Sequence, residues 1–168
     1  SFHYGRRQGS LPDNPELKNQ YLNNFDRDMI RVTKENEIFA MRMGDLRLSD
    51  PDKQVIAFYR NGLLFAFNFS PVHSQVDVKV SLPACADYEM VFTTDDWCYG
   101  GYGQIAHGTY PAQVDEEGAS TVSLYLPART AVVLKEGARR KVEVKKAKAE
   151  TTEETEAAEP AQSAEAAE

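Results

Sequence analysis

The sequence predicts a mainly β protein, an antiparallel sandwich preceded by one or two helices. Three observations carry that prediction. Apolar residues recur at helical spacing only before residue 36, and beyond residue 45 the period falls to two. Between two apolar runs stands Asn61-Gly62, a pair that accepts the positive φ angles of a type I′ hairpin turn. Turn clusters then recur at short, regular intervals, as in sandwiches and barrels and unlike parallel α/β sheets.

In chain order, residues 1–12 have no clear period and hold two adjacent arginines, Arg6 and Arg7. A helix is expected next. Asp13 or Asn14 suits its N-cap, Pro15 its first turn, and Glu16 its positive end. Leu17, Tyr21, Leu22, Phe25, Met29 and Ile30 form its apolar stripe, with a break expected at Asn23-Asn24 and an end near Asn36. Strands are expected around Leu46 and Leu48, over 55–60, 63–69, 75–80, 88–94, 121–126 and 130–134. Residues 95–108, rich in glycine and aromatics, form a long loop. Beyond Glu136 the pattern dissolves into a basic run and an Ala/Glu/Thr tail with too few large apolar residues to fold, so a disordered extension is expected.

Composition narrows the function. The 168 residues suffice for one domain with a real core, and 42% hydrophobic content is ordinary for a globular chain. The net charge of −7 belongs to the tail: six glutamates lie between residues 151 and 168, and removing them from 26 acids leaves 20 against 19 bases. No positive excess marks a nucleic-acid binder. No apolar run approaches the roughly 20 residues of a membrane span. Cys85 and Cys98 imply no disulfide framework and suit reduced thiols in the cytoplasm. The chain opens on Ser1 in place of Met, as a piece of a longer protein would.

Catalytic chemistry finds no foothold. His3, His73 and His107 are scattered in loops, the cysteines lack CxxC spacing, and no metal or cofactor is expected. Asp95-Asp96 is an adjacent loop pair of the kind that caps turns, whereas glycosidases hold two carboxylates across a cleft. Residues 100–103 do not open a helix after a parallel strand, so they form no dinucleotide loop. Functional colour is confined to Trp97, Tyr99 and Tyr102, whose rings either stack on sugar faces or plug the end of the sandwich.

Three stretches carry a resemblance: Ser1-Phe-His-Tyr-Gly-Arg-Arg-Gln8, Tyr21-Leu-Asn-Asn-Phe-Asp-Arg-Asp-Met29, and Val55-Ile-Ala-Phe58 with Asn61-Gly-Leu-Leu-Phe-Ala-Phe-Asn-Phe-Ser-Pro71. Tyr99-Gly-Gly101 and Leu124-Tyr-Leu-Pro-Ala-Arg129 add to it. Together they resemble the carboxyl-terminal part of glycogen and starch branching enzymes of the α-amylase superfamily, in the eukaryote-like branch. Gly9 departs from that pattern, since the family often has a larger residue after Arg-Arg-Gln.

The resemblance implies a Greek-key β-sandwich over residues 37–136 and the last helices of a (β/α)₈ barrel over 1–36, which leaves the basic-then-acidic extension over 137–168 as a tail. The parent reaction it implies cleaves an α-1,4 glucan link and transfers the chain to a 6-hydroxyl, by retaining chemistry with an Asp nucleophile and a Glu acid/base. Those carboxylates would lie upstream of Ser1, so no catalytic residue is expected here and the chain alone should be inactive. The implied partners are its own upstream catalytic barrel and an α-glucan such as glycogen or amylopectin. Arg6, Arg7, Leu17, Tyr21, Phe25 and Met29 would face the barrel, while Trp97, Tyr99 and Tyr102 keep both readings, glucan contact or packing. A stand-alone carbohydrate-binding module, or a sandwich interaction domain unrelated to sugars, are the alternatives.

Overall fold

The computed structural model describes residues 9–115 and 118–140. Arg6, Arg7, the opening stretch of the resemblance and most of the basic and acidic tail lie outside the described residues. A single-turn 3₁₀ helix, Leu11–Asp13, leads to one α-helix, α1 (Asn19–Glu35). Among the described residues nine strands follow: β1 (Asp45–Asp50), β2 (Val55–Arg60), β3 (Leu63–Asn68), β4 (Gln75–Ser81), β5 (Ala86–Thr93), β6 (Thr109–Pro111), β7 (Gln113–Val114), β8 (Ser120–Leu126) and β9 (Thr130–Arg139). They form an antiparallel six-stranded sheet, β1-β2-β3-β9-β5-β6, and a three-stranded sheet, β4-β8-β7.

The expected helix start is corrected. Asn14 does use its side chain, but its Oδ1 accepts the N–H of Glu16 at 2.9 Å and closes a turn, and α1 begins only at Asn19. The expected break at Asn23-Asn24 is absent because α1 runs through it, and Asn24 instead donates to the Cys98 carbonyl at 3.2 Å. At the far end of α1, Glu37 takes a left-handed φ of 46°. Asn61, in the β2–β3 turn, donates to the carbonyls of Asn36 and Glu37 at 2.8 and 3.1 Å. The Asn-Gly turn therefore closes a hairpin and also anchors the helix exit, with φ of 45° at Asn61 and 82° at Gly62.

Chain reversal between the sheets gives the Greek-key character. β3 and β4 lie in different sheets, as do β8 and β9, yet β3 pairs β9 and β4 pairs β8. Buried Asn68 ties the two crossings together. Its Nδ2 faces the carbonyls of His73, Leu126 and Pro127 at 2.8–3.1 Å, and its Oδ1 accepts the N–H of Ser70 at 2.9 Å.

The main core fills the space between the sheets, where Val55, Ala57, Leu64, Ala66, Tyr88 and Leu134 of one face Val80, Val122, Leu124 and Leu126 of the other. A second cluster forms on the outer face of the large sheet, where α1 brings Val32 and Phe25 onto Leu63, Phe92 and Val133. Strands β3 and β9 are thus covered on both faces along much of their length, which explains why Leu63–Phe67 and Ala131–Leu134 are continuous apolar runs and not alternating ones. A register shift between Met90 and Phe92 turns β5 so that Met90 enters the main core while Phe92 enters the helix-side cluster. β9 runs beyond the expected end at residue 134 because its ladder continues to Arg139, opposite Ala86.

Candidate functional site

The site follows β5, in the loop that carries the aromatic and glycine residues. Asp95 organises it. Its side chain is buried, and its carboxylate accepts the backbone N–H groups of Tyr102 (3.2 Å), Gln104 and Ile105 (2.9 Å). Its own carbonyl accepts the N–H of Gly103 at 2.8 Å. The loop folds back over Asp95 so tightly that a Cβ on Gly101 would run into the Asp95 backbone, so glycine is required there. Asp96 is different, since it pairs with exposed His107 at 2.6 Å. The adjacent carboxylates are a loop organiser and a surface partner of His107, and no cleft separates them for hydrolytic chemistry.

The three aromatic residues part company in the structure. A 3₁₀ turn, Trp97–Tyr99, ends at Gly100 in a left-handed φ of 80° and sends Tyr99 inward. Its ring lies 5.3 Å from Phe92 and 5.9 Å from Phe25, edge-on to the latter at 89°. Such ring pairs add about 0.5–1.5 kcal/mol each beyond area burial. The Tyr99 hydroxyl donates to Asp28 of α1 at 2.9 Å. Arg27 holds the same carboxylate with two hydrogen bonds at 3.1–3.2 Å, and these keep the Asp28 carboxyl below its ordinary range, with Tyr99 adding to the effect. Burial and that carboxylate together push the Tyr99 phenol up. Tyr99 thereby joins helix, loop and sheet.

Trp97 and Tyr102 remain outside, 71% and 69% exposed. The Trp97 indole lies against Gly103, where a Cβ would collide with its Nε1. The residues expected to face a barrel also divide. Tyr21 and Phe25 are half-buried, Phe25 against Phe92 at 5.5 Å, while Leu17 and Met29 are exposed together with Leu22 and Ile30. The helix therefore uses one side of its stripe on its own β domain and presents the other outward.

Sequence patterning missed two features of this face. The first is an aromatic ladder on the outer side of β2 and β3: Phe58 stacks on Phe65 (4.9 Å) and Phe67 (5.9 Å), and Phe67 on Phe69 (5.7 Å, 3° between planes). Alternation along 63–69 was a signal for it, obscured because the intervening residues are apolar as well. The second is Arg129, in the β8–β9 crossing, with a left-handed φ of 60° that no sequence pattern marks.

Among the described residues, no three His, Cys, Asp or Glu gather to hold a metal ion, and no helix is long and apolar enough to cross a membrane. Cys85 and Cys98 are free thiols.

Comparison with known proteins places this geometry. Residues 46–137 match the family described as Alpha amylase, C-terminal all-beta domain. Over 137 residues, 80% of this chain, the sequence is 34% identical to a 1,4-alpha-glucan-branching enzyme of Candida glabrata, covering 19% of that protein. A Saccharomyces cerevisiae enzyme of the same name is also 34% identical over 137 residues, or 20% of its length. A Felis catus enzyme of that name is 33% identical over 138 residues, again 20% of its length. The chain thus spans about a fifth of the relatives it matches. With two antiparallel sheets in the matched span, the chain belongs to the alpha-amylase C-terminal all-beta domain family.

Proposed function

We propose that this chain is the C-terminal β domain of a 1,4-α-glucan branching enzyme, acting in the cytoplasm with a catalytic (β/α)₈ barrel. In that enzyme an Asp and a Glu of the barrel would cleave an α-1,4 link through a covalent glycosyl intermediate and pass the chain to a 6-hydroxyl. The residues present here would position and support that barrel without touching the reacting atoms, so the chain alone would have no branching activity.

The observation that carries this reading is the outer face of the large sheet. Helix α1 covers only part of it and leaves the stacked Phe58 and Phe65 half-buried beside the outward Met29, with Leu22 and Ile30 exposed on the same helix. A contiguous apolar face of this kind supports the docking of another domain. Residues 1–36, with Arg6 and Arg7, would complete the junction from the barrel side, and residues from 137 onward would serve as a tail. Trp97 and Tyr102 would offer stacking faces to a glucan chain, while Tyr99 would act through packing.

A chimera tests this. Residues 9–140 replace the matching segment of the Saccharomyces cerevisiae enzyme, and branching is followed by the fall in iodine absorbance of amylose. Activity well above that of the yeast enzyme lacking the segment is expected. A folded chimera no better than the truncated enzyme overturns the proposal. A stand-alone carbohydrate-binding module is the second reading, favoured by the exposure of Trp97 and Tyr102. It is supported by glucan binding in the 168-residue chain with an inactive chimera.

A further inference from the structure

Resting on the glucan-handling role proposed above, we infer that a cleft centred on Arg129 is a subsite for a linear α-glucan chain, separate from the Trp97 ring. Two contiguous open clefts, of about 280 and 250 Å³, share Thr94, Arg129 and Thr130 as walls. Phe67 and Phe69 bound one end and Tyr102 the other. Phe69 is 65% exposed, with one face covered by the parallel ring of Phe67, so a flat apolar surface remains for a ligand. Two aromatic platforms with a polar donor between them suit pyranose rings, which present apolar faces and hydroxyl edges.

The donor is Arg129. Its side chain is exposed, and among the described residues no hydrogen bond or ion pair engages its guanidinium. Its backbone is held firmly. The N–H donates to the Ser70 carbonyl at 3.1 Å, Thr130 Oγ1 donates to Pro127 at 2.7 Å, and the Ala131 N–H donates to Thr94 Oγ1 at 2.9 Å. A left-handed arginine costs on the order of 1–3 kcal/mol and persists where its surroundings fix it. Here that conformation places an unpaired planar fork in the cleft, able to donate to two neighbouring sugar hydroxyls. The ligand is neutral rather than anionic because Arg129 is the one cationic residue among those lining the two clefts, and the nearby Asp95 is an acid.

The test uses the 168-residue chain in native gels with and without amylopectin. Retardation of the wild type is expected. Arg129→Gly should weaken binding about tenfold or more through loss of charge-assisted donors, and its Tm should stay level or rise because glycine relieves the left-handed φ. Phe69→Ala should bind as weakly. Arg129→Lys, which keeps the charge and loses the fork, should fall between. No retardation of the wild type overturns the inference. So does unchanged retardation in both Arg129→Gly and Phe69→Ala, with loss only in Trp97→Ala. Displacement of the glucan by millimolar inorganic phosphate also overturns it, since the cleft would then be an anion site. An active chimera with no retardation leaves the branching-enzyme proposal standing without this subsite. Retardation beside an inactive chimera does the reverse.

Discussion

Replacing Asp95 by alanine removes one carboxylate and leaves three backbone N–H groups without their acceptor. The Ile105 bond is fully buried, and a buried donor left unpaired costs about 1–3 kcal/mol. Tyr102 and Gln104 are exposed residues whose N–H groups water can reach in part, so each should add roughly 0.5–1.5 kcal/mol. The sum is about 4 kcal/mol, which at a urea slope of about 2 kcal/mol/M lowers the midpoint by on the order of 2 M. Trp97 is the single tryptophan of the chain and sits in this loop, so its emission reports the local change while far-UV circular dichroism reports global unfolding. Asp95→Asn keeps one acceptor oxygen and should lose about half as much. Asp96→Asn is the control, because an exposed pair with His107 is worth about 0–1 kcal/mol. A loss below about 1 kcal/mol in Asp95→Ala, with unchanged Trp97 emission, would show that Asp95 does not organise the loop.

Three further expectations concern the same framework. Gly101→Ala forces a Cβ against the Asp95 backbone, which cannot yield as a side chain tip can, and should cost about 1–3 kcal/mol or more in thermal or urea melts. A stable Gly101→Ala variant with native emission would contradict the loop geometry. Asp28 has a carboxyl pKa lowered by Arg27 and Tyr99, so its contribution is fully present above about pH 4 and is lost as pH falls through its native value. Asp28→Asn should flatten the acid limb of the stability profile, and parallel acid limbs in both proteins would refute this. Tyr59 is pushed up to about 12 by burial and then by its hydrogen bond to Glu136. The stability it confers is complete below about pH 10 and disappears as pH rises toward 12, because the unfolded phenol ionises first. Tyr59→Phe should therefore resist alkali better relative to its own neutral stability, as followed by circular dichroism between pH 9 and 12.

Much of the scaffold was legible because its signals are local. The Asn61-Gly62 hairpin appears where its pair of left-handed residues demands it, and alternation along β4 and β8 located strands that have one solvated face. Where signals compete, legibility failed. Asn14 has the chemistry of a helix cap but spends it on a nearby turn, and Asn23-Asn24 is tolerated within α1 while Asn24 gains a long-range bond. Strands β6 and β7, of three and two residues, are too short to show a period. The separation of Tyr99 from Trp97 and Tyr102 depends on the direction in which Gly100 turns the chain, and it is realised only when α1 supplies Phe25 and Asp28. Arg129 is the extreme case, since two of the three hydrogen bonds that hold its backbone involve Ser70 and Thr94, which are distant in sequence.

The place of β9 has a consequence for how the molecule is made. It is the last strand described, yet it lies between β3 and β5 near the middle of the large sheet. During synthesis the earlier strands must wait for it, with the edges of β3 and β5 unpaired and their apolar residues uncovered. Contacts closed this late in the chain slow folding and lengthen the exposure of aggregation-prone edges. A nascent chain stalled before Thr130 would hold two partial sheets that cannot join, which makes this segment a point where quality control should act, through chaperone retention or degradation, long before any chemistry is at stake.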